Sequence, residues 1–130
     1  MNDLTADMLT RIRNAVRNRE RTVMCIANKL NAGVAAVLVE EGYLEGVERV
    51  DDGRQGLLRL KLKYGSRGEQ AINVIERVSR GGRRVYRGVE ELPRPLQGLG
   101  IAIVSTSHGV MSDRRCRVEK LGGEVVATVY

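Results

Sequence analysis

Apolar positions along the chain fall into short periodic runs, and their period changes from helical to extended and back. Met8, Leu9, Ile12, Ala15 and Val16 recur as one helical stripe, which predicts a helix over residues 5–18. Asp3, Thr5 and Asp7 supply cap and first-turn groups at its positive end. Arg13 and Arg17 lie on its polar face, Arg11 beside the stripe, and Arg19 and Arg21 just beyond. A strand is expected over 22–27. Asn28 then caps a second helix with the stripe Leu30, Val34, Val37 and Leu38, stopped at Gly42. Residues 43–50 and 57–64 read as strands joined by the Asp51-Asp52-Gly53 turn. In the second of them Leu58, Leu60, Leu62 and Tyr64 alternate with Arg59, Lys61 and Lys63, a half-buried strand with one basic face.

Gly65-Ser66-Arg67-Gly68 is the linker candidate, which divides the chain into lobes at 1–68 and 69–130. The second lobe opens with a strand over 72–78, a hairpin turn at Arg80-Gly81-Gly82-Arg83 and a returning strand over 84–87. Pro93-Arg94-Pro95 marks irregular backbone or the start of a helical turn. Residues 101–104 form a short buried strand followed by the polar run Ser105-Thr106-Ser107-His108-Gly109. Ser112 or Asp113 caps a helix through Leu121, and 124–130 is a closing strand. The expectation is an α+β chain with an N-terminal α-β-α-β-β lobe. The C-terminal lobe is mostly antiparallel strands with one short helix.

Composition narrows the chemistry. The chain has 130 residues, and 22 bases against 16 acids give net +6. Eighteen of the bases are Arg, whose planar fork grips phosphate bidentately, so nucleic acid leads as partner. With no Trp, no Phe and four Tyr, stacking of successive bases along a single strand is not the expected mode. The longest apolar stretch, 32–39, is too short to span a membrane, and the N-terminus does not read as a signal peptide. Cys25 and Cys116 stand alone, without metal-ligand spacing, so reduced thiols, no metal and no cofactor are expected.

Candidate sites follow from clusters. Between Arg77 and Arg87 lie five Arg and no acid (77, 80, 83, 84 and 87), arranged around a glycine turn. Unopposed like charges disfavour folding until a counter-charge arrives, which points to phosphate. The hydroxyls of Ser105, Thr106 and Ser107 both donate and accept, and Gly109 leaves room for a nucleotide beside them. Arg11 and Arg13 belong to a second basic cluster, which a solvated helix face explains nearly as well. Ser107, His108 and Asp113 invite a triad, but adjacent side chains on extended backbone point to opposite faces. Gly98-Leu99-Gly100 precedes a strand instead of opening a helix, so it reads as a tight turn and not as a dinucleotide fingerprint.

Residues 6–15 (ADMLTRIRNA) resemble the opening of the bacterial small-subunit ribosomal protein number eight family. Residues 98–107 (GLGIAIVSTS), then Gly109-Val110-Met111 and Asp113-Arg114, resemble its C-terminal signature, and Gly122-Gly123-Glu124-Val125 its closing strand. Glu41-Gly42-Tyr43 and Arg84-Val85-Tyr86 match as well, so the likeness runs end to end. The chain departs from the family pattern at Ile26, His108, Cys116, residues 117–121 and Tyr130.

The resemblance implies no catalytic activity and direct binding to a bulged, irregular helix in the central domain of 16S ribosomal RNA, early in assembly. It implies a cytoplasmic, ribosomal location, neighbours among the fifth and twelfth small-subunit proteins, and repression of its own operon through an mRNA mimic. No membrane and no small-molecule substrate are expected. On this reading Arg83, Arg84 and Arg87 position the RNA backbone, with Arg84 and Tyr86 as the RNA-facing pair. Ser105, Thr106 and Ser107 read the irregular core beside Gly109, while Arg11, Arg13 and Glu124 complete the set. Two other classes remain open at this point: a free-standing RNA- or DNA-binding regulator, and a small hydrolase built on Ser107 and His108.

Overall fold

The first apolar stripe becomes a helix because its start is fixed chemically. In the computed structural model, which describes residues 3–130, Asp3 accepts the Ala6 N–H at 2.9 Å and caps α1 (Leu4–Arg17). The buried face carries Thr5, Met8, Leu9, Ile12, Ala15 and Val16. Arg19 takes a left-handed φ of 58° and turns the chain into β1 (Thr22–Ile26). Asn28 caps α2 (Lys29–Glu40), accepting the Asn31 N–H at 2.8 Å.

The buried stripe of α2 differs from expectation at its first position. Asn31 is fully buried and Leu30 only half-buried. The Asn31 side chain accepts the Thr5 hydroxyl at 2.9 Å and donates to Ile26 O at 2.9 Å. These bonds tie α1, β1 and α2 together and offset the desolvation of a polar residue. Gly42, at φ 83°, then turns the chain into β2 (Leu44–Val50). Asp52 Oδ1 accepts the Arg54 and Gly56 N–H groups, each at 2.9 Å, and shapes the loop into β3 (Leu57–Leu62).

These strands form a three-stranded antiparallel sheet in the order β1-β3-β2, with α1 and α2 on one face. Leu58, Leu60 and Leu62 are buried while Arg59 and Lys61 are exposed, as the alternation predicts. The strand ends at Leu62. Tyr64 makes one bridge with Gln70, and its hydroxyl donates to Glu20 O at 2.6 Å. Gly65 N–H bonds Glu69 O at 2.7 Å and Ala71 N–H bonds Lys63 O at 3.3 Å, so residues 65–71 fold back on the first unit. That unit runs to Asn73, and the second from Val74 to Tyr130.

The second unit is built on β8 (Gly123–Val129), which lies inside its sheet. On one side β8 pairs with β6 (Ile101–Thr106), which pairs in turn with β7 (Gly109–Ser112). Along the other side lie β4 (Ile75–Arg77) and β5 (Tyr86–Arg87), both antiparallel to β8. The expected hairpin between these two strands is therefore corrected. Val78 and Ser79 N–H groups bond Val126 and Val125 carbonyls, and Val85 O accepts the Val125 N–H. Residues 80–84 are thus an excursion from one continuous edge, because β8 offers both flanks a longer partner than they offer each other.

Leu92, Ala102, Val104, Met111, Cys116 and Val125 form the core of this unit, with Val78, Val85, Val89 and Leu121 packed against it. A bulge between Ile103 and Val104 skips one residue of β8, so Val125, Val126 and Ala127 are all buried. Ser112 caps α3 (Asp113–Glu119) by accepting the Arg115 N–H at 3.2 Å. The helix stops at Glu119 instead of Leu121, because Lys120 is left-handed at φ 58°. No helix among the described residues is long and apolar enough to cross a membrane.

Candidate nucleic-acid interface

Three neighbouring strands bring the sequence-predicted residues into one row. Ser105 on β6 lies opposite Glu124 on β8, and Glu124 lies opposite Tyr86 on β5. Residues directly opposite share a face, so these three side chains stand side by side. The next row inward is apolar, since Val104 pairs with Val125, and Val85 packs on the same core. Tyr86 is 64% exposed, whereas Glu124 keeps only 19% of its side-chain surface in solvent.

Two glycines permit this row. A Cβ on Gly123 would stand 2.2 Å from Ser105 O, and one on Gly122 would stand 2.5 Å from Arg87 O. The start of β8 is therefore inserted between two backbones at a distance that only glycine allows. In the sequence this pair reads as a helix stop; its closer purpose is to seat Glu124 between Ser105 and Tyr86.

The hydroxyl run is not a loop throughout. Ser105 and Thr106 are the last residues of β6, while Ser107 and His108 form the exposed turn to β7. Thr106 Oγ1 donates to Gly109 O at 2.7 Å and accepts the His108 N–H at 3.0 Å, closing that turn. Gly109 has φ 112°, a conformation costly for any residue with a side chain. Ser107 is left exposed at the tip.

Beside the row stands the arginine excursion. Arg80 and Arg83 bond each other's backbone at 2.9 and 3.0 Å around Gly81-Gly82, so the tip is a closed turn. Arg83, Arg84 and Arg87 are exposed. The expectation that these bases lack a nearby acid is corrected at Arg84, whose Nη1 lies 3.1 Å from Glu124 Oε2. Glu124 is distant in sequence and comes close only through the β5–β8 pairing. Arg77 also turns away from the cluster, donating to Val126 O at 2.8 Å. Arg87 donates to Tyr86 O at 2.9 Å.

Sequence reasoning missed Ser79. It is fully buried, donates to Glu124 Oε2, and accepts the Val85 N–H at 3.1 Å. One hydroxyl thus closes the neck of the excursion and orients the carboxylate. A lone serine before a basic turn carries no sequence signal for such a task.

Arg11 and Arg13 lie in the first unit on α1, and Arg11 pairs with Asp7 at 2.8 Å. The three groups of the triad reading are not brought together. Asp113 is buried, accepts the Ala102 N–H at 2.8 Å and pairs with Arg117, whereas Ser107 and His108 are exposed on the turn. Gly98 closes the Pro95–Gly98 turn, and Leu99-Gly100 leads on into β6. Among the described residues no three His, Cys, Asp or Glu side chains cluster to hold a metal ion. Cys25 and Cys116 are free and buried, and burial pushes both thiols up to about 11.

A family model described as Ribosomal protein S8 matches residues 3–130. The chain is similar to the small ribosomal subunit protein uS8 of Acetivibrio thermocellus, 51% identical over 128 residues, which covers 98% of this chain and 97% of that protein. The uS8 proteins of Caldanaerobacter subterraneus subsp. tengcongensis and Clostridioides difficile are 48% and 44% identical over 130 residues, 100% of this chain and 98% of each. Likeness of that level, running over the length of both units, has one reading: the chain belongs to the ribosomal protein S8 family.

Proposed function

We propose that the chain is a structural constituent of the small ribosomal subunit and binds the central domain of 16S ribosomal RNA directly. The C-terminal lobe carries the main contact surface. The observation behind this reading is the cross-strand row of Ser105, Glu124 and Tyr86, with exposed arginines on one side and the Ser107 turn on the other. An A-form helix hides its major groove from side chains, so recognition uses shape, splayed bases and 2′-hydroxyls. Hydroxyls of Ser105 and Ser107 meet such groups as donors or acceptors. The Tyr86 ring offers a flat apolar surface to a sugar or base. Arg83, Arg84 and Arg87 contact phosphates and fix the register, and Arg11 and Arg13 add phosphate contacts from the first unit. Glu124 only accepts, so it repels phosphate and favours a 2′-hydroxyl or an exocyclic amine at its position.

The same family resemblance supports action early in assembly, neighbours among the fifth and twelfth small-subunit proteins, and repression of the chain's own operon by an mRNA segment of similar shape. No step of this function requires a catalytic group. The test is binding to a transcript of the central-domain helix beside a scrambled duplex of equal length, over a range of salt. Tighter binding to the irregular transcript is expected, with a similar salt slope on both. Equal affinities at every salt concentration would overturn the reading.

A further inference from the structure

Ser79 is fully buried, so it does not meet RNA, and both its N–H and its hydroxyl are engaged. The N–H bonds Val125 O at 3.1 Å, and Oγ accepts the Val85 N–H at 3.1 Å. Val85 O in turn accepts the Val125 N–H at 2.8 Å, so the hydroxyl is held from both sides. A serine hydroxyl has a single proton to give, and here it goes to Glu124 Oε2. Arg84 Nη1 meets the same oxygen at 3.1 Å. Both bonds fall on Oε2, and no described residue bonds Oε1. No polar side-chain atom among the described residues is both buried and unpartnered, so Oε1 opens to solvent. It does so in the row between Ser105 and Tyr86.

This division between two oxygens matters on a surface that meets a polyanion. A free carboxylate repels phosphate, and a mobile glutamate side chain spreads its acceptors over many directions. Arg84 offsets the charge and keeps its remaining donors for phosphate. Its side chain is 44% exposed, however, and an ion pair so wet holds a geometry weakly. Ser79 is the firmer restraint, because its charge-assisted bond is shielded from water and its donor is locked to Val85 and Val125. What remains is one acceptor oxygen with one direction, beside the Ser105 hydroxyl.

We infer that Ser79 is a positioning residue for RNA recognition. It turns Glu124 so that Oε1 alone is presented, and this oxygen selects an RNA group that donates, a 2′-hydroxyl or an exocyclic amine, over one that only accepts. The inference rests on the RNA reading above and adds to it a residue that never touches the RNA. Without the Ser79 hydroxyl, Glu124 keeps its charge and its place on β8 but loses its direction. The chain then holds the transcript with less discrimination.

The test is a cycle between protein and RNA. Central-domain transcripts with single 2′-deoxy substitutions, and others with single amino groups deleted, are titrated against the chain and against Glu124→Ala. A substitution that weakens the unaltered chain by roughly tenfold and leaves Glu124→Ala unaffected identifies the donor that Oε1 takes. Its type separates ribose from base. Ser79→Ala is expected to shrink that penalty to less than about threefold, with binding to a scrambled duplex unchanged. A serine that only holds the fold would lower affinity for every transcript by the same factor and leave the penalty whole; that result would overturn the inference. So would a penalty lost in Arg84→Gln but kept in Ser79→Ala, or the lack of any substitution whose penalty depends on Glu124. Ser79→Cys fills the site with a poor donor and carries the same expectation if melting curves show that the alanine protein does not fold. A transcript bound no tighter than the scrambled duplex refutes the RNA reading and the inference with it, an outcome distinct from a preferred transcript with an undiminished penalty.

Discussion

Replacing Gly123 by alanine puts a methyl group 2.2 Å from Ser105 O, 3.0 Å from Ser105 C and 3.2 Å from Thr106 Cα. All three obstacles are backbone, so no side chain can swing aside. Ordinary contact begins near 3.4 Å, and β6 and β8 must therefore part by about 1 Å at this point. Overpacking of this kind costs about 1–3 kcal/mol. For a unit of this size a loss of about 2 kcal/mol lowers the Tm by roughly 8–16 °C. The displacement also falls where Ser105 and Glu124 stand side by side, and about 1 Å is enough to break a hydrogen bond made at about 2.9 Å. Gly123→Ala should thus lower both Tm, read by calorimetry, and affinity for the central-domain transcript, read by titration. Binding to a scrambled duplex should barely change. Gly82→Ala is the control, because its Cβ would meet nothing within 4 Å. A Gly123→Ala protein with wild-type Tm and wild-type transcript affinity would refute the close-approach argument.

Further expectations are similarly checkable. Ser107→Ala should leave stability unchanged and cost about 1–3 kcal/mol in specific RNA affinity, since Ser107 is exposed at the turn; equal loss on a scrambled duplex would contradict its role. Thr106→Val removes the two bonds that close the same turn, and denaturant titration should show a loss of about 1–3 kcal/mol. Asp113→Asn leaves Arg117 without its buried counter-charge and should destabilise the second unit by about 3–5 kcal/mol, visible in its melting transition. The two thiols should make stability fall with pH. Their folded values, about 11, lie above the ordinary 9.0, so an unfolded chain releases these protons first. Stability is then full below pH 9 and declines between 9 and 11 by about 1.4 kcal/mol per pH unit for each thiol. A Cys25→Ala variant should show a shallower decline in denaturant midpoints over that range.

What the sequence revealed of the fold depended on how local the cause was. Asp3 and Asn28 cap their helices where expected, because a cap needs only neighbours two or three residues away. The alternation of Leu58, Leu60 and Leu62 with Arg59 and Lys61 likewise reports its own burial. Asn31 defied its stripe because its partners, Thr5 and Ile26, lie on other elements. The pairing of the edge strands around the glycine turn is not legible for the same reason: a turn between two strands predicts that they pair, unless a longer strand takes both. Of the candidate interface, Ser107 and Tyr86 were legible as residue types. Glu124 was legible only through resemblance, and its contact with Arg84 and Ser79 belongs to β8. Asp113, a triad candidate by residue type and spacing, is a buried counter-ion because its partners, Ala102 N–H and Arg117, are set by the fold.

The neck of the arginine excursion has a consequence for how such a surface can change. Ser79 and Val85 share one partner, Val125, which accepts from the first and donates to the second. The five residues between them hang from a point where the sheet is already closed, and their side chains are absent from the core cluster. They form a detachable cassette: residues 80–84 can be shortened, lengthened or exchanged for another sequence without shifting the register of β4, β5 or β8. Apart from the Arg84–Glu124 pair, charge, reach and shape of this contact are thereby uncoupled from the folding of the unit, and a graft of a foreign loop between Ser79 and Arg84 should alter what the protein grips while leaving its melting behaviour intact.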